Sequence, residues 1–265
     1  MDLTIGSTTR PYAELSYAEA YERIAAAGYT DVAVFANQKA IPVRSDSTRD
    51  EVAAVRKAAE DAGVTLSMLL ARAQLDLGVE KAVEDYKRLI DNCAEMGGTW
   101  LLELGTSKEE FFETYFEVMQ QAAPYAEGAG VHISMKPHGG ISLTTEHLMA
   151  AVEKVNHPAF RICCDPGNII YYTKGDMRPE TDIAEVAPLV SSGIIKDCTI
   201  EDGKPDVMVT AGDGLVDFYT VLSGLVGGGF GGPLYVECVG SREPDRVDRD
   251  LAFTLGYVKG ILTAL

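Results

Sequence analysis

Lys136 and His138 stand two apart in Val-His-Ile-Ser-Met-Lys-Pro-His-Gly-Gly, residues 131–140. Val131, Ile133 and Met135 alternate with the period of a strand, and Pro137 with Gly139-Gly140 closes it in a turn. Side chains two apart on a strand share a face, so Lys136 and His138 are expected to point the same way where the strand opens into a loop. An inward Lys136 requires a counter-charge, because an unpaired buried charge is costly. Groups suited to proton transfer and polar binding recur at the ends of other apolar runs: Glu103, then Asp165 and Asn168, then Lys196, then Glu237 with Arg242 soon after.

The elements that must position these groups repeat. Strand-like runs cover residues 3–6, 30–35, 64–70, 99–104, 131–136, 160–165, 193–198 and 233–238. Helical periodicity covers 17–27, 48–62, 79–96, 109–129, 144–155, 183–190, 216–226 and 247–262. Gly28, Gly63, Gly97 and Gly130 follow helices as C-terminal caps. Ser16 with Glu19, Ser47 with Asp50 and Ser107 with Glu110 have the capping-box spacing. Strand then helix, eight times over, predicts an α/β fold, a single (β/α)8 TIM barrel filling residues 1–265 as one domain. An open doubly wound sheet is the competitor, and no Gly-x-Gly-x-x-Gly follows an early strand to favour it. In such a barrel reactive groups come from the C-terminal ends of strands, so an acid, a base and two lysines share one mouth. The glycine-dense stretch 227–232 precedes the last strand, at the opposite end, and reads as a tight connection.

Composition narrows the partners. The 265 residues are 46% hydrophobic and carry a formal charge of −17, with 40 acidic against 23 basic residues. A chain of this size and apolarity buries a large core, and its surface repels nucleic acid. No apolar run spans a bilayer and no signal segment leads the chain, so a cytoplasmic protein without a membrane partner is expected. Five cysteines lack a disulfide framework. Cys163, Cys164, Cys198 and Cys238 read as packing thiols, and Tyr171-Tyr172 as packing or a sugar-stacking surface.

From residue 131 onward the motifs resemble a known family. Gly-Val-x-Ile-x-x-Lys-Pro-His-Gly-Gly, Asp-Pro-Gly-Asn-Ile-Ile-Tyr-Tyr, Lys-Asp before Gly-Asp-Gly-x-Val-Asp-Phe, and Pro-Leu-Tyr-Val-Glu-Cys look like the xylose isomerase-like TIM-barrel superfamily, nearest its sugar phosphate isomerase/epimerase branch. Many members hold one divalent cation through Glu, Asp, His and Glu on strands five to eight. That resemblance puts the ligands at Lys136, Asp165, Ile194 and Glu237, so two of four are lost and one is replaced by a cation. A hard dication wants several oxygen ligands, and a protonated Lys cannot ligate. The resemblance therefore implies that the Lys136 ammonium takes the metal's seat between Asp165 and Glu237. A cation such as Mg or Mn on Asp165 and Glu237 stays open.

The chemistry the resemblance implies is proton removal next to a carbonyl, which needs a base near the carbon and a positive group near the oxygen. Glu237 is the expected base, Lys136 the electrophile or a second proton carrier with Asp165 beside it, and His138 a hydrogen-bond partner for a sugar hydroxyl or a proton relay. Lys196, Asn168, Arg242 and Glu103 are expected to bind substrate. A Lys136 Schiff base ranks lower, because two neighbouring carboxylates keep the amine charged. The leading expectation is a sugar or keto-sugar isomerase or epimerase working through an enediolate. The alternatives are a lyase or dehydratase acting on a keto-sugar, keto-cyclitol or keto-glycoside, and a non-catalytic sugar-binding barrel. The oligomeric state is open, a homo-oligomer included.

Overall fold

The computed structural model describes residues 3–265. Eight parallel strands close into a barrel: β1 (Ile5–Thr8), β2 (Asp31–Val34), β3 (Thr65–Leu70), β4 (Trp100–Glu103), β5 (His132–Met135), β6 (Phe160–Cys164), β7 (Val190–Ile195) and β10 (Leu234–Val236). Ring closure pairs β1 with β10, Gly6 opposite Tyr235 and Ser7 opposite Val236. Between the strands run α1 (Tyr17–Ala26), α2 (Arg49–Ala62), α3 (Val79–Met96), α4 (Phe112–Gly128), α5 (Thr145–Val155), α6 (Pro166–Tyr172), α7 (Pro179–Val186), α8 (Phe218–Gly227) and α9 (Pro244–Ala264). Among the described residues no helix is long and apolar enough to cross a membrane.

Strand alternation sorts the side chains into two cores. Phe35, Met68, Leu102, Cys163, Ile194 and Tyr235 fill the barrel, while Leu101, Ile133, Met135 and Ile162 face the helices. Two polar pairs inside are satisfied locally: Tyr235 donates to Asp31 at 2.9 Å and Ser134 pairs with Ser192 at 2.6 Å. These side chains fill the lower barrel, so chemistry is confined to the strands' C-terminal ends.

Several sequence boundaries move. The first strand runs Ile5–Thr8 rather than 3–6, and β7 starts at Val190 rather than 193, directly after α7 ends at Val186 and a 3-10 turn over Ala187–Leu189 follows it. The Ser16–Glu19 capping box is present. The second cap is Thr48 with Glu51, not Ser47 with Asp50. Ser107 caps nothing: a 3-10 turn over Glu109–Phe111 precedes α4. Two elements lacked a sequence signal, the short helix α6 and an antiparallel pair, β8 (Thr199–Glu201) with β9 (Lys204–Asp206), in the loop after β7. Asp197 ties that loop down, accepting from the backbone N–H of Cys198, Gly212, Gly214 and Val216 at 2.8–3.0 Å.

Candidate active site

Four strand ends build the centre. β5 stops at Met135, and Lys136 follows on the inner face, its N–H bonded to Glu103 O at 2.9 Å. β6 delivers Asp165, which caps α6 by accepting from Asn168 N–H at 3.0 Å. Pro166 opens that helix, and Gly167 lets it lie against β7: a Cβ there would come within 2.6 Å of Lys196 O. β7 delivers Lys196 and β10 delivers Glu237.

The side chains form one buried ionic cluster. Lys136 Nζ lies 3.1 Å from Asp165 Oδ2 and 2.5 Å from Glu237 Oε2. Lys196 Nζ lies 3.0 Å from the same Asp165 oxygen, 2.7 Å from Glu237 Oε1 and 3.1 Å from Asn168 Oδ1. Arg10 completes it, Nη1 to Glu237 Oε1 at 2.6 Å. The lysines and acids are at most 2% exposed, whereas the Arg10 side chain is 44% exposed and covers the cluster from solvent. Three cations against two carboxylates leave one positive charge at the mouth. Lys136 spends two N–H bonds on the acids and keeps a third.

These contacts fix protonation. Burial alone would raise the Glu237 carboxyl, but Lys136, Lys196 and Arg10 outweigh it and hold Glu237 well below the usual carboxylate range. Burial works against the Lys136 ammonium too, and Glu237 and Asp165 overcome it, so the amine stays charged. A charged amine is no nucleophile, which rules against a Schiff base at Lys136. His138 goes the other way. Burial, Lys136, Lys196 and Arg72 push it down to about 4, which makes it a neutral imidazole at physiological pH. Its ring packs on Tyr172 with centroids 5.1 Å apart, and it lines a cavity of about 600 Å³ together with Arg72, Gln74, Gly105, Thr106 and Lys108.

Not every sequence expectation lands here. Glu103 alternates with the outward Leu101, so its carboxyl faces the helical layer and not the mouth; it neither touches Lys136 nor reaches a substrate. It accepts from Leu104 N–H at 3.1 Å and Gly105 N–H at 3.3 Å. Asn168 is 4% exposed and uses its amide inside the protein, donating to Pro137 O at 2.8 Å and accepting from Lys196, so it braces the cluster where a substrate contact was expected. Arg242 is exposed and lines a separate cavity of about 200 Å³ with Arg10 and Glu237. Arg10 and Arg72 escaped the sequence reading. Arg72 stands two residues beyond the inward Leu70, and that alternation is the signal that marks it; Arg10 opens a 3-10 turn over Arg10–Tyr12 just after β1, where the period of two no longer applies. All five cysteines are buried and free.

The donors do not suit a divalent cation. Every carboxylate oxygen of Asp165 and Glu237 already accepts from an ammonium, a guanidinium or a backbone N–H. Among the described residues no three His, Cys, Asp or Glu side chains converge as a ligand set. Ile194, at the position the resemblance assigns to a histidine, is packed in the barrel core.

Comparison with known proteins fits this architecture. A xylose isomerase domain protein from Planctomyces limnophilus is 22% identical, with a TM-score of 0.73 and 91% of each chain covered. A xylose isomerase-like TIM barrel protein from Mycobacterium smegmatis, in complex with magnesium, is 15% identical, with a TM-score of 0.76 and 98% of each chain covered. D-psicose 3-epimerase from Clostridium cellulolyticum H10, with D-tagatose, is 14% identical, with a TM-score of 0.74, covering 98% of this chain and 99% of that one. At these identities the likeness is one of fold. No curated protein matches the sequence. The family model for xylose isomerase-like TIM barrels spans residues 21–255, from the first helix to the last, and on that match the chain belongs to the xylose isomerase-like TIM-barrel family.

Proposed function

We propose that this chain isomerises or epimerises a sugar or keto-sugar by removing a proton next to a carbonyl, with protein ammonium groups in place of a metal. The observation that carries the reading is the buried excess of positive charge at the barrel mouth, built from Lys136, Lys196 and Arg10 around Asp165 and Glu237. An enediolate places new negative charge on oxygen, and preorganised donors in a water-poor site stabilise such charge far better than water does. The free N–H of Lys136 is the donor for that oxygen. Asp165 and Glu237 hold the two ammonium groups in place and keep them charged.

The proton acceptor is His138 rather than Glu237. Glu237 is ion-paired with three cations and is a weak base in this state. His138 is neutral, half-buried and on the wall of the larger cavity, whose volume suits a monosaccharide. Its basicity rises as charge develops on the substrate oxygen, because that charge offsets the repulsion between imidazolium and the lysines. His138→Gln is expected to lower kcat about 100-fold with little change in KM. The wild-type acid limb near pH 4, where His138 takes its own proton, is expected to vanish with it. A mutant that keeps both the rate and the limb removes His138 from the reaction.

Ketohexoses, including D-tagatose and D-psicose, and keto-glycosides in heavy water provide the direct test. Solvent deuterium in a carbon-bound position of an isomeric product supports the reading. Release of water or an aglycone replaces it with a lyase, and no turnover of any substrate leaves a binding barrel. Dialysis against a chelator is expected to leave the rate unchanged. One equivalent of divalent metal retained by the active protein would show that the ammonium groups do not stand in for a cation.

A further inference from the structure

The cavity beside His138 holds charge that the proton-transfer centre does not use. Arg72 follows the inward Leu70 of β3 by two residues and so sits at the mouth, where its field reaches His138. Lys108 lies across the cavity, its Nζ 5.5 Å from the Phe111 ring centroid. Among the described residues neither cation forms an ion pair, although the chain has 40 acidic side chains to 23 basic ones. Asp76 is the one acid in the lining, which leaves a single positive charge in excess there.

The part of the wall that carries Lys108 and His138 is fixed. Gly105 takes φ 70° and Gly140 φ 56°. Ile141 N–H donates to Thr106 O at 3.1 Å, and Ser142 Oγ donates to Leu104 O at 2.9 Å. The loops after β4 and β5 are locked so tightly that a Cβ on Gly140 would lie 2.2 Å from Thr106 O. A rigid wall with the hydroxyls of Thr106 and Ser107 and a neutral imidazole, facing the unpaired guanidinium of Arg72 on the loop after β3, has the makings of a recognition surface for a polar, charged ligand.

We propose that this cavity selects a carboxylate-bearing sugar, a sugar acid or its keto form, with Arg72 as the specificity-determining residue and Lys108 in support. A planar guanidinium matches a carboxylate through two parallel N–H bonds. The excess of positive charge in the lining, Arg72 and Lys108 against Asp76, favours an anionic sugar over a neutral one. The inference rests on the cavity being the substrate site of the proposed isomerase, so its test reads binding, which is independent of turnover.

Titration calorimetry of the intact chain with D-glucuronate, D-glucose 6-phosphate and D-glucose separates the chemistries. Glucuronate is expected to bind at least about tenfold tighter than glucose, a difference of about 1.4 kcal/mol. Arg72→Gln should remove that preference, and Arg72→Lys should restore only part of it because the two-pronged contact is lost. Lys108→Gln should weaken binding less. Arg72 is exposed, so unchanged melting temperatures in these variants would show that folding is not at issue. Equal affinity for glucuronate and glucose, tighter binding of the phosphate, no binding of glucuronate, or indifference to Arg72→Gln would each overturn the proposal. Glucuronate binding without turnover of any sugar acid would instead retain this subsite and count against the isomerase reading. Turnover of a neutral sugar untouched by Arg72→Gln would do the reverse.

Discussion

Lys136→Met is expected to destabilise the fold by about 3–5 kcal/mol, the usual effect of removing one partner from a buried ion pair, and to abolish turnover. The reason lies in how the acids share their donors. Asp165 Oδ2 keeps Lys196, and Glu237 Oε1 keeps Lys196 and Arg10. Glu237 Oε2 has Lys136 alone, so in the mutant a fully buried carboxylate oxygen faces a methyl thioether. Its desolvation is then uncompensated. For a chain of this length the loss corresponds to a fall of about ten degrees in Tm, readable by thermal or urea unfolding at pH 7. The double variant Lys136→Met/Glu237→Gln removes the carboxylate whose Oε2 has lost its donor along with the amine. It should recover part of the loss, a coupling of about 1–3 kcal/mol between neighbours that share a contact. A single mutant as stable as wild type would mean that the ionic cluster does not hold the strand ends together. Turnover assayed below the mutant's unfolding transition isolates the chemical effect: a folded Lys136→Met protein at full rate would end the case for the ammonium as electrophile.

The strand count, the barrel and the inward course of Lys136, Asp165, Lys196 and Glu237 were legible because a period of two, repeated between helices, leaves few other arrangements. What escaped has identifiable causes. Leu3 and Ile5 both look like strand residues, and starting two residues early ended the first strand at Gly6. Arg10, which opens a 3-10 turn two residues after Thr8, then fell in a loop. Glu103 was counted because it ends a strand, yet parity places it outside: Leu102 points into the barrel, so its neighbour cannot. Ser47 and Thr48 each have an acid three residues on, and only the coordinates choose Thr48. Helix α6 has seven residues and strands β8 and β9 three each, too few for any periodicity to register. That short helix turns Asn168 inward, where its amide is spent on Pro137 and Lys196.

The misplaced Glu103 carries the second large effect. Burial pushes its carboxyl up to about 7, against the pull of the Gly105 and Leu104 N–H groups. Its Oε1 and the nearby hydroxyls of Tyr86 and Tyr115 make no hydrogen bond of sound geometry. A carboxyl whose folded pKa is raised binds its proton more tightly in the folded state than in the unfolded one. The associated stability is complete below the unfolded value, about 4.5, and is lost as pH climbs through 7. At about 1.4 kcal/mol per unit of pKa, the loss across that window is about 3 kcal/mol. Glu103→Gln keeps an oxygen for the two backbone donors and puts an uncharged NH2 where the protonated carboxyl has its O–H, so it mimics the neutral acid without a charge to bury. The variant should match wild type at pH 4.5 and exceed it by about 3 kcal/mol at pH 8.5. Urea unfolding of both proteins across that range measures the difference directly. The contributions of His138 and Glu237 are common to both proteins and cancel in the subtraction. Stability curves that run parallel from pH 4.5 to 8.5 would show that Glu103 does not titrate in the folded chain, and a less stable variant at pH 8.5 would show that the carboxylate is held there by donors stronger than two backbone N–H groups.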